Sequence, residues 1–190
     1  YQRSDSSLVP IDEVDEQSDD TWVERATGQP VQQVVAKMSK SLKNVVNPDE
    51  VVAEYGADTC RLYEMYLGPL EASKPWNPRD IVGVFRFLQR TWRLGVDEES
   101  GTLVCIEETN EDVERALHRT IAKVGEDIER LAFNTAIAAL IEFTNQATTA
   151  GGVTRDQLDR LTRILGPFVP HMAEEFWHRL GHDEPLAHAQ

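Results

Sequence analysis

Five consecutive residues, Lys37-Met38-Ser39-Lys40-Ser41, place two ammonium groups and two hydroxyls on one short segment, with Asn44 three positions on. Lysine is a mobile point charge with three donors, and a serine hydroxyl both donates and accepts. Together they suit gripping the phosphates of a nucleotide while negative charge builds up on them. Such groups help most on a closing loop that meets the charge in the transition state rather than in the resting complex. Taken alone, a Lys-x-x-Lys with serines is more often a solvated turn. The Gly-x-x-x-x-Gly-Lys-Ser/Thr pattern is absent, so this is not a phosphate loop of that kind.

A second cationic group lies further on. If Pro78 to Leu94 is one helix, Arg79, Arg86, Arg90 and Arg93 share a narrow sector at 100° per residue. Ile81, Val84, Phe85, Leu88 and Trp92 fall on the other side. An arginine stripe opposite an apolar one is commonly a solvated face, and in an acidic chain it also suits contact with a phosphate backbone. His171 and His178 sit seven apart with Glu174 and Glu175 between them, which is not a zinc spacing. No metal site is expected. Trp76, just before a helix start, reads as a packing anchor. No Ser, His and Asp are arranged as a nucleophilic triad.

The elements that must carry these groups are mostly helical. Residues 1–20 are aperiodic and rich in Ser, Asp and Glu, so they read as loop or frayed end. Residues 22–26 and 31–35 flank Thr27-Gly28-Gln29-Pro30, which predicts a β-hairpin whose second strand feeds directly into Lys37. Asn47-Pro48-Asp49 starts a helix that stops at Gly56, and Asp58 can cap the next, which runs to Gly68-Pro69. Asn77-Pro78 repeats the start signal, and Gly95 ends that helix. After an acidic connection over 96–109, Asn110 opens a helix with apolar residues at Val113, Leu117, Ile121, Val124, Ile128 and Leu131. A break falls near Asn134, and a further helix continues to Gly151-Gly152. Thr154 with Gln157 forms a capping box, Gly166-Pro167 interrupts, Pro170 restarts, and Gly181 closes. The expected fold is mainly α: an antiparallel helical bundle preceded by a small α+β segment.

Net charge is −14, unevenly spread. Residues 1–30 carry 2 basic and 8 acidic side chains, 31–95 carry 9 and 7, and 96–190 carry 8 and 18. The one segment that is not acidic holds the lysines and the arginine stripe, so an anionic ligand is expected there. No apolar run is long enough to span a bilayer, and no signal peptide is visible. Cys60 and Cys105 make no disulfide framework and read as free thiols of a reducing compartment. The expected location is cytoplasmic. A start at Tyr1 and an end without a closing element suggest part of something longer.

Lys37 to Ser41 is letter for letter the second signature of class I aminoacyl-tRNA synthetases, and Tyr55-Gly56-Ala57-Asp58 is similar to the segment just downstream of that signature in the family. Gly68-Pro69-Leu70-Glu71-Ala72-Ser73-Lys74-Pro75-Trp76 and Gly83-Val84-Phe85-Arg86-Phe87-Leu88-Gln89-Arg90-Thr91-Trp92 resemble the bacterial leucyl-tRNA synthetases more specifically. So do Phe133-Asn134-Thr135-Ala136-Ile137 and the stretch from Gly166 to Glu175. The match covers most of 31–185. The resemblance implies ligation of leucine to tRNA-Leu through leucyl-adenylate, with ATP and Mg2+, by a monomer with no membrane partner. Within it, 1–36 would end the catalytic domain, 37–69 would be the signature loop and a region contacting the inner tRNA stem, and 70–190 an anticodon-binding-type helical domain. Lys40 carries over as the catalytic ATP-phosphate contact, Lys37, Met38, Ser39 and Ser41 as its ATP-binding neighbours. The arginines Arg79, Arg86, Arg90 and Arg93 are the tRNA-binding candidates. The sequence has no His-Ile-Gly-His-like tetrapeptide, catalytic sheet or editing domain, so these residues alone are expected to be inert. The other readings are an isoleucyl- or valyl-tRNA synthetase, or a non-catalytic RNA-binding helical module.

Overall fold

A computed structural model describes residues 1–18, 21–77 and 79–189, which pack as two compact units, Tyr1–Asp49 and Glu50–Gln190. The architecture is mainly helical with a small antiparallel sheet, as the sequence pattern implies.

In the first unit, β1 (Val14–Ser18), β2 (Thr21–Glu24) and β3 (Pro30–Val31) pair antiparallel in the order β1-β2-β3. Val14 lies opposite Glu24, and Trp22 opposite Val31. The hairpin expected around Gly28 is present, but its second strand is only two residues long. Gln32 then exchanges two main-chain hydrogen bonds with Gln2, and residues 33–39 have no regular structure. The strand therefore stops well short of Lys37. The larger departure is the segment before residue 20, expected as loop. It contains a short 3₁₀ turn at Ile11–Glu13 and all of β1. Periodicity missed β1 because Val-Asp-Glu-Gln-Ser holds one apolar residue, and four of its five positions are exposed.

Long-range contacts rather than an apolar stripe order this segment. Val9 and Trp22 are buried, and the Trp22 Nε1–H donates to Tyr1 Oη at 3.1 Å. Glu24 is almost wholly buried and accepts from Arg3 and from the Thr27 hydroxyl. The Arg3 guanidinium, followed by Thr27, holds its carboxyl well down, at about 2.

The second unit is built on α1 (Pro48–Tyr55), α2 (Ala57–Tyr66), α3 (Ile81–Gly95), α4 (Glu111–Glu129), α5 (Phe133–Thr149), α6 (Arg155–Leu165) and α7 (Pro170–Arg179). The Asn47 side chain accepts from Asp49 N–H, and Gly56 turns the chain out of α1 at φ 87°. Asn110 and Thr154 cap α4 and α6 as expected, the latter in a full capping box. Helices α4 and α5 form a close αα-hairpin, and α2 and α3 both pack on α5. One core runs through them, with Tyr63, Phe87, Leu117, Leu140, Phe143 and Phe176 all fully buried. Gly95 sits where a Cβ would come within 2.8 Å of both Leu158 and Phe176, so only glycine lets α3 end this close to α6 and α7.

Asp58 does not cap its own helix. Gly56 occupies that position, and the Asp58 carboxylate accepts instead from the main-chain N–H of His171 and Met172, at 3.3 and 2.8 Å. It also meets His171 Nδ1 at 2.8 Å. An acidic side chain on α2 thus serves the N-terminus of α7, 113 residues further on. Arg61 adds a hydrogen bond to Pro167 O.

Two boundaries move. Helix α3 begins at Ile81, not at 78; Pro78 lies outside the described residues. Asn77 spends its side chain on an Asx turn, accepting from Arg79 N–H, while Tyr63 Oη holds the Asn77 main chain on both sides. Trp76 packs edge-on against Tyr63 at 4.9 Å between ring centres. The break after α4 falls at Arg130–Ala132, earlier than Asn134. Leu131 does not continue the apolar stripe: it sits at φ 57° and is 57% exposed. The cause is Asp127, whose carbonyl accepts from Ala132 N–H while its buried carboxylate takes Lys123 Nζ and the Thr135 hydroxyl.

Between α4 and α6, Glu114 accepts a two-pronged bond from Arg160, at 2.8 and 2.9 Å, and a third from Gln157. Arg160 first, then Gln157, pulls its carboxyl down to about 2 from an ordinary value of 4.5. A depressed acid contributes stability above its unfolded pKa and loses it as pH falls through the folded one. E114Q should therefore cost about 1.5–3 kcal/mol near pH 7 and only a small remainder near pH 2, where the folded carboxyl is about half protonated. Urea unfolding between pH 2 and 7 would show the two proteins converging as the acid limb is descended. D58A should lower the melting temperature by about 2–6 °C through loss of the α7 cap, and D58N by less, since it keeps an acceptor.

Candidate functional site

The residues from Lys37 to Asn44 form an irregular segment ending in a turn over Lys40–Lys43. Its shape comes from short polar contacts rather than burial. Asn44 crosses the base: its Oδ1 accepts from Ser39 N–H at 2.8 Å, and its amide approaches Lys37 O at 3.4 Å. Ser39 Oγ accepts from Leu42 N–H at 3.2 Å and meets Ser41 Oγ at 3.1 Å. Lys43 adopts φ 51°, its N–H bonds Lys40 O, and its ammonium pairs with Asp12. That pairing holds both groups charged, lowering the Asp12 carboxyl and raising the Lys43 amine. The neighbouring Ile11 N–H donates to Leu42 O at 3.0 Å.

Of the three lysines, Lys37 and Lys40 are exposed and have no ion-pair partner among the described residues. Two mobile cations are left available on a segment whose main chain is held by uncharged groups. Such an arrangement can receive a polyphosphate without first breaking a salt bridge. Met38 is 44% exposed beside them. Sequence reasoning singled out the five signature residues and noted Asn44, which the structure places at the base of the same segment. It missed Asp12 and Lys43, because Asp12 lies in the segment read as frayed and 31 positions separate the pair.

The arginines separate on inspection. Arg79 lies in the turn before α3, so it does not share the helical stripe. Arg86 is exposed and unpaired among the described residues. Arg90 is half-buried, with its Nε shielded and unpartnered among the described residues. Arg93 is exposed but engages Glu98 at 2.9 Å. The buried face also shifts by part of a turn: Ile81, Val84, Phe87, Leu88 and Leu94 point inward, while Phe85 and Trp92 are half-buried. Phe85 meets Tyr55 edge-on, and Trp92 stacks on Phe176 at 5.0 Å.

Residues 30–74 match the family model of tRNA synthetases class I (I, L, M and V), and 110–190 that of the anticodon-binding domain of tRNA ligase. Leucine–tRNA ligase of Mycobacterium sp. (strain KMS) is 51% identical over 190 residues, covering 99% of this chain. The chain belongs to the leucine–tRNA ligase family. Relatives in Streptomyces griseus and Treponema pallidum are 47% and 44% identical, again over 99% of the chain. The chain spans about one fifth of the length of these curated relatives: 20% for the first two and 24% for the third.

A solved structure of Agrobacterium radiobacter K84 LeuRS (agnB2), in ternary complex with tRNA and LeuAMS, superposes with a TM-score of 0.67 at 32% identity. The match covers 80% of this chain and 22% of that one. The two family models thus take in the lysine segment with α1 and α2, and then α4 to α7. Helix α3 falls between them, outside both family models. Among the described residues, no helix is long and apolar enough to cross a membrane, and no cluster of three or more His, Cys, Asp or Glu could hold a metal ion.

Proposed function

We propose that this chain supplies the phosphate-gripping loop and a tRNA-binding helical surface of a leucine–tRNA ligase. The parent reaction joins leucine to ATP, giving leucyl-adenylate and pyrophosphate, and passes leucine to tRNA-Leu. The observation that carries the reading is the pair Lys37 and Lys40, left without ion partners among the described residues on a loop bound at its base by Asn44 and Ser39.

When the leucine carboxylate attacks the α-phosphorus of ATP, charge moves onto the departing pyrophosphate. Lys40 is the residue we assign to that charge, with Lys37 flanking it and Ser39 and Ser41 adding hydroxyl contacts. Met38, exposed between the two lysines, is assigned with them to the ATP-binding segment. Mg2+ arrives with the nucleotide as part of the substrate. The loop offers ammonium and hydroxyl groups rather than carboxylates, so it does not fit a magnesium site. The reaction is assigned to a cytoplasmic monomer.

On α3, Arg86 is the strongest candidate for the tRNA backbone, because of that helix's three arginines it alone is exposed and without an ion pair among the described residues. Arg90 stands one turn along, while Arg79 and Arg93 are secondary. The leucine reading is supported by relatives that all carry that name at 44–51% identity. Nothing in them favours an isoleucine or valine enzyme, or a free-standing RNA-binding module.

In the full-length ligase, K40A should lower the rate of leucine-dependent ATP–pyrophosphate exchange by about a hundredfold, with KM for ATP within a few-fold of wild type. Equal losses in both would make Lys40 a ground-state contact. Isoleucine, valine and methionine, tested in parallel, should support no exchange. Replacing Arg86 and Arg90 together by glutamine should weaken tRNA binding and reduce the slope of log affinity against log salt by about 1–2. An unchanged slope removes them from the interface.

A further inference from the structure

The loop's second limb is tied to a part of the chain with no evident reason to be there. Asp12 sits in the 3₁₀ turn at Ile11–Glu13, where its carboxylate bonds Lys43 Nζ. The adjacent residue closes the same contact through the main chain, Ile11 N–H to Leu42 O. This turn is itself fixed to the sheet, since Glu13 O accepts from Arg25 N–H and Arg25 pairs with Asp15 on β1. Leu42 and Lys43 are therefore anchored to the sheet, while Lys37 and Lys40 make no ion pair among the described residues.

We infer that Asp12 is a positioning residue for the signature loop: by bonding Lys43 it fixes the loop's C-terminal limb, so that Lys40 swings about a defined base and meets the developing phosphate charge. The inference rests on the phosphate-gripping reading above. Asp12 touches no substrate in this scheme and acts only through Lys43. Both side chains are about half exposed, at 48% and 59%, and exposed pairs of this kind are weak. The effect is accordingly bounded at about fivefold in the population of the tethered loop.

A purely electrostatic role makes a different prediction. Asp12 would then repel the incoming phosphates and Lys43 attract them, so D12A and K43M would shift KM for ATP in opposite directions. A tether predicts instead that D12A, K43M and the double variant lose the same activity, because each breaks the same bond. The remaining charges near the pair, Glu13 and Arg25, stay constant across this set.

The test is leucine-dependent ATP–pyrophosphate exchange in the full-length ligase, with D12A, K43M, D12A/K43M and the swapped D12K/K43D. Wild-type exchange with leucine is the control for the functional reading itself, and its absence would sink that reading before any variant is compared. The expected result is a two- to fivefold fall in kcat, about equal in the first three, with KM for ATP within about twofold and recovery in the swap. Additive losses, opposed KM shifts or a faster kcat would overturn the tether.

Amide hydrogen exchange at Ile11, whose N–H donates to Leu42 O, gives a readout independent of catalysis. It should quicken about two- to fivefold in D12A and return in the swap. Unchanged exchange in D12A, with the fold intact by melting, would equally overturn it.

Discussion

A protein of net charge −14 has few cations to spare, and the local structure around Lys37 and Lys40 is governed by keeping two of them unpaired. Carboxylates are abundant, and a mobile lysine will find one if the chain brings it near. The loop avoids this by drawing its internal bonds from neutral groups. Asn44 and Ser39 satisfy main-chain N–H and C=O groups with an amide and a hydroxyl, neither of which carries a charge to form an ion pair with an ammonium. The one carboxylate bonded to the loop among the described residues, Asp12, is already engaged by Lys43. Spending a third lysine there leaves the first two available to a polyphosphate.

The helical unit handles the same surplus differently. Its less exposed acids are placed where the fold needs acceptors. Asp58 takes the orphan N–H groups at the start of α7, Asp127 stops α4 and holds the corner into α5, and Glu114 joins α4 to α6 through Arg160 and Gln157. Burial raises the Asp127 carboxyl, yet the bonds from Lys123 and Thr135 outweigh it and the group stays low. Asp159 is governed alike, with Arg163 and His182 offsetting burial. These acids act as structural acceptors, and acidic pH withdraws several of them together. The acidic composition of the helical unit is thus partly a record of its hydrogen bonding rather than a surface aimed at a partner.

What could be read from the sequence divides along physical lines. Caps and glycine stops depend on neighbours within a few positions, and Asn47, Gly56, Asn110 and the Thr154–Gln157 box stand where the pattern puts them. The signature residues were equally visible, because their grouping is contiguous. Features set by distant partners were not. Strand β1 has almost no apolar side chain and exists because β2 pairs with it. Asp58 reads locally as a cap for α2, whereas the N–H groups it serves belong to residues 171 and 172. The 3.6-residue period carried Leu131 into the apolar stripe of α4, two residues past the helix's last residue, Glu129.

The same distinction separates the four arginines. Equal angular spacing placed them on one face, but spacing alone cannot register a helix that starts late, an acid that arrives from the next loop, or a flank that buries a guanidinium. The late start removes Arg79 from the stripe, Glu98 engages Arg93, and the packing around α3 shields part of Arg90. Arg79, in the preceding turn, is exposed and outside every ion pair described, and of the three arginines on α3, Arg86 alone keeps both exposure and a charge with no ion pair among the described residues. Since phosphate contact requires a guanidinium that need not first surrender a carboxylate, the electrostatic contribution of α3 should be concentrated at this one position rather than shared along the stripe. Lys40 meets the same requirement on its loop: in an acidic protein, a cation is useful to an anionic ligand only where the fold has withheld every internal partner from it.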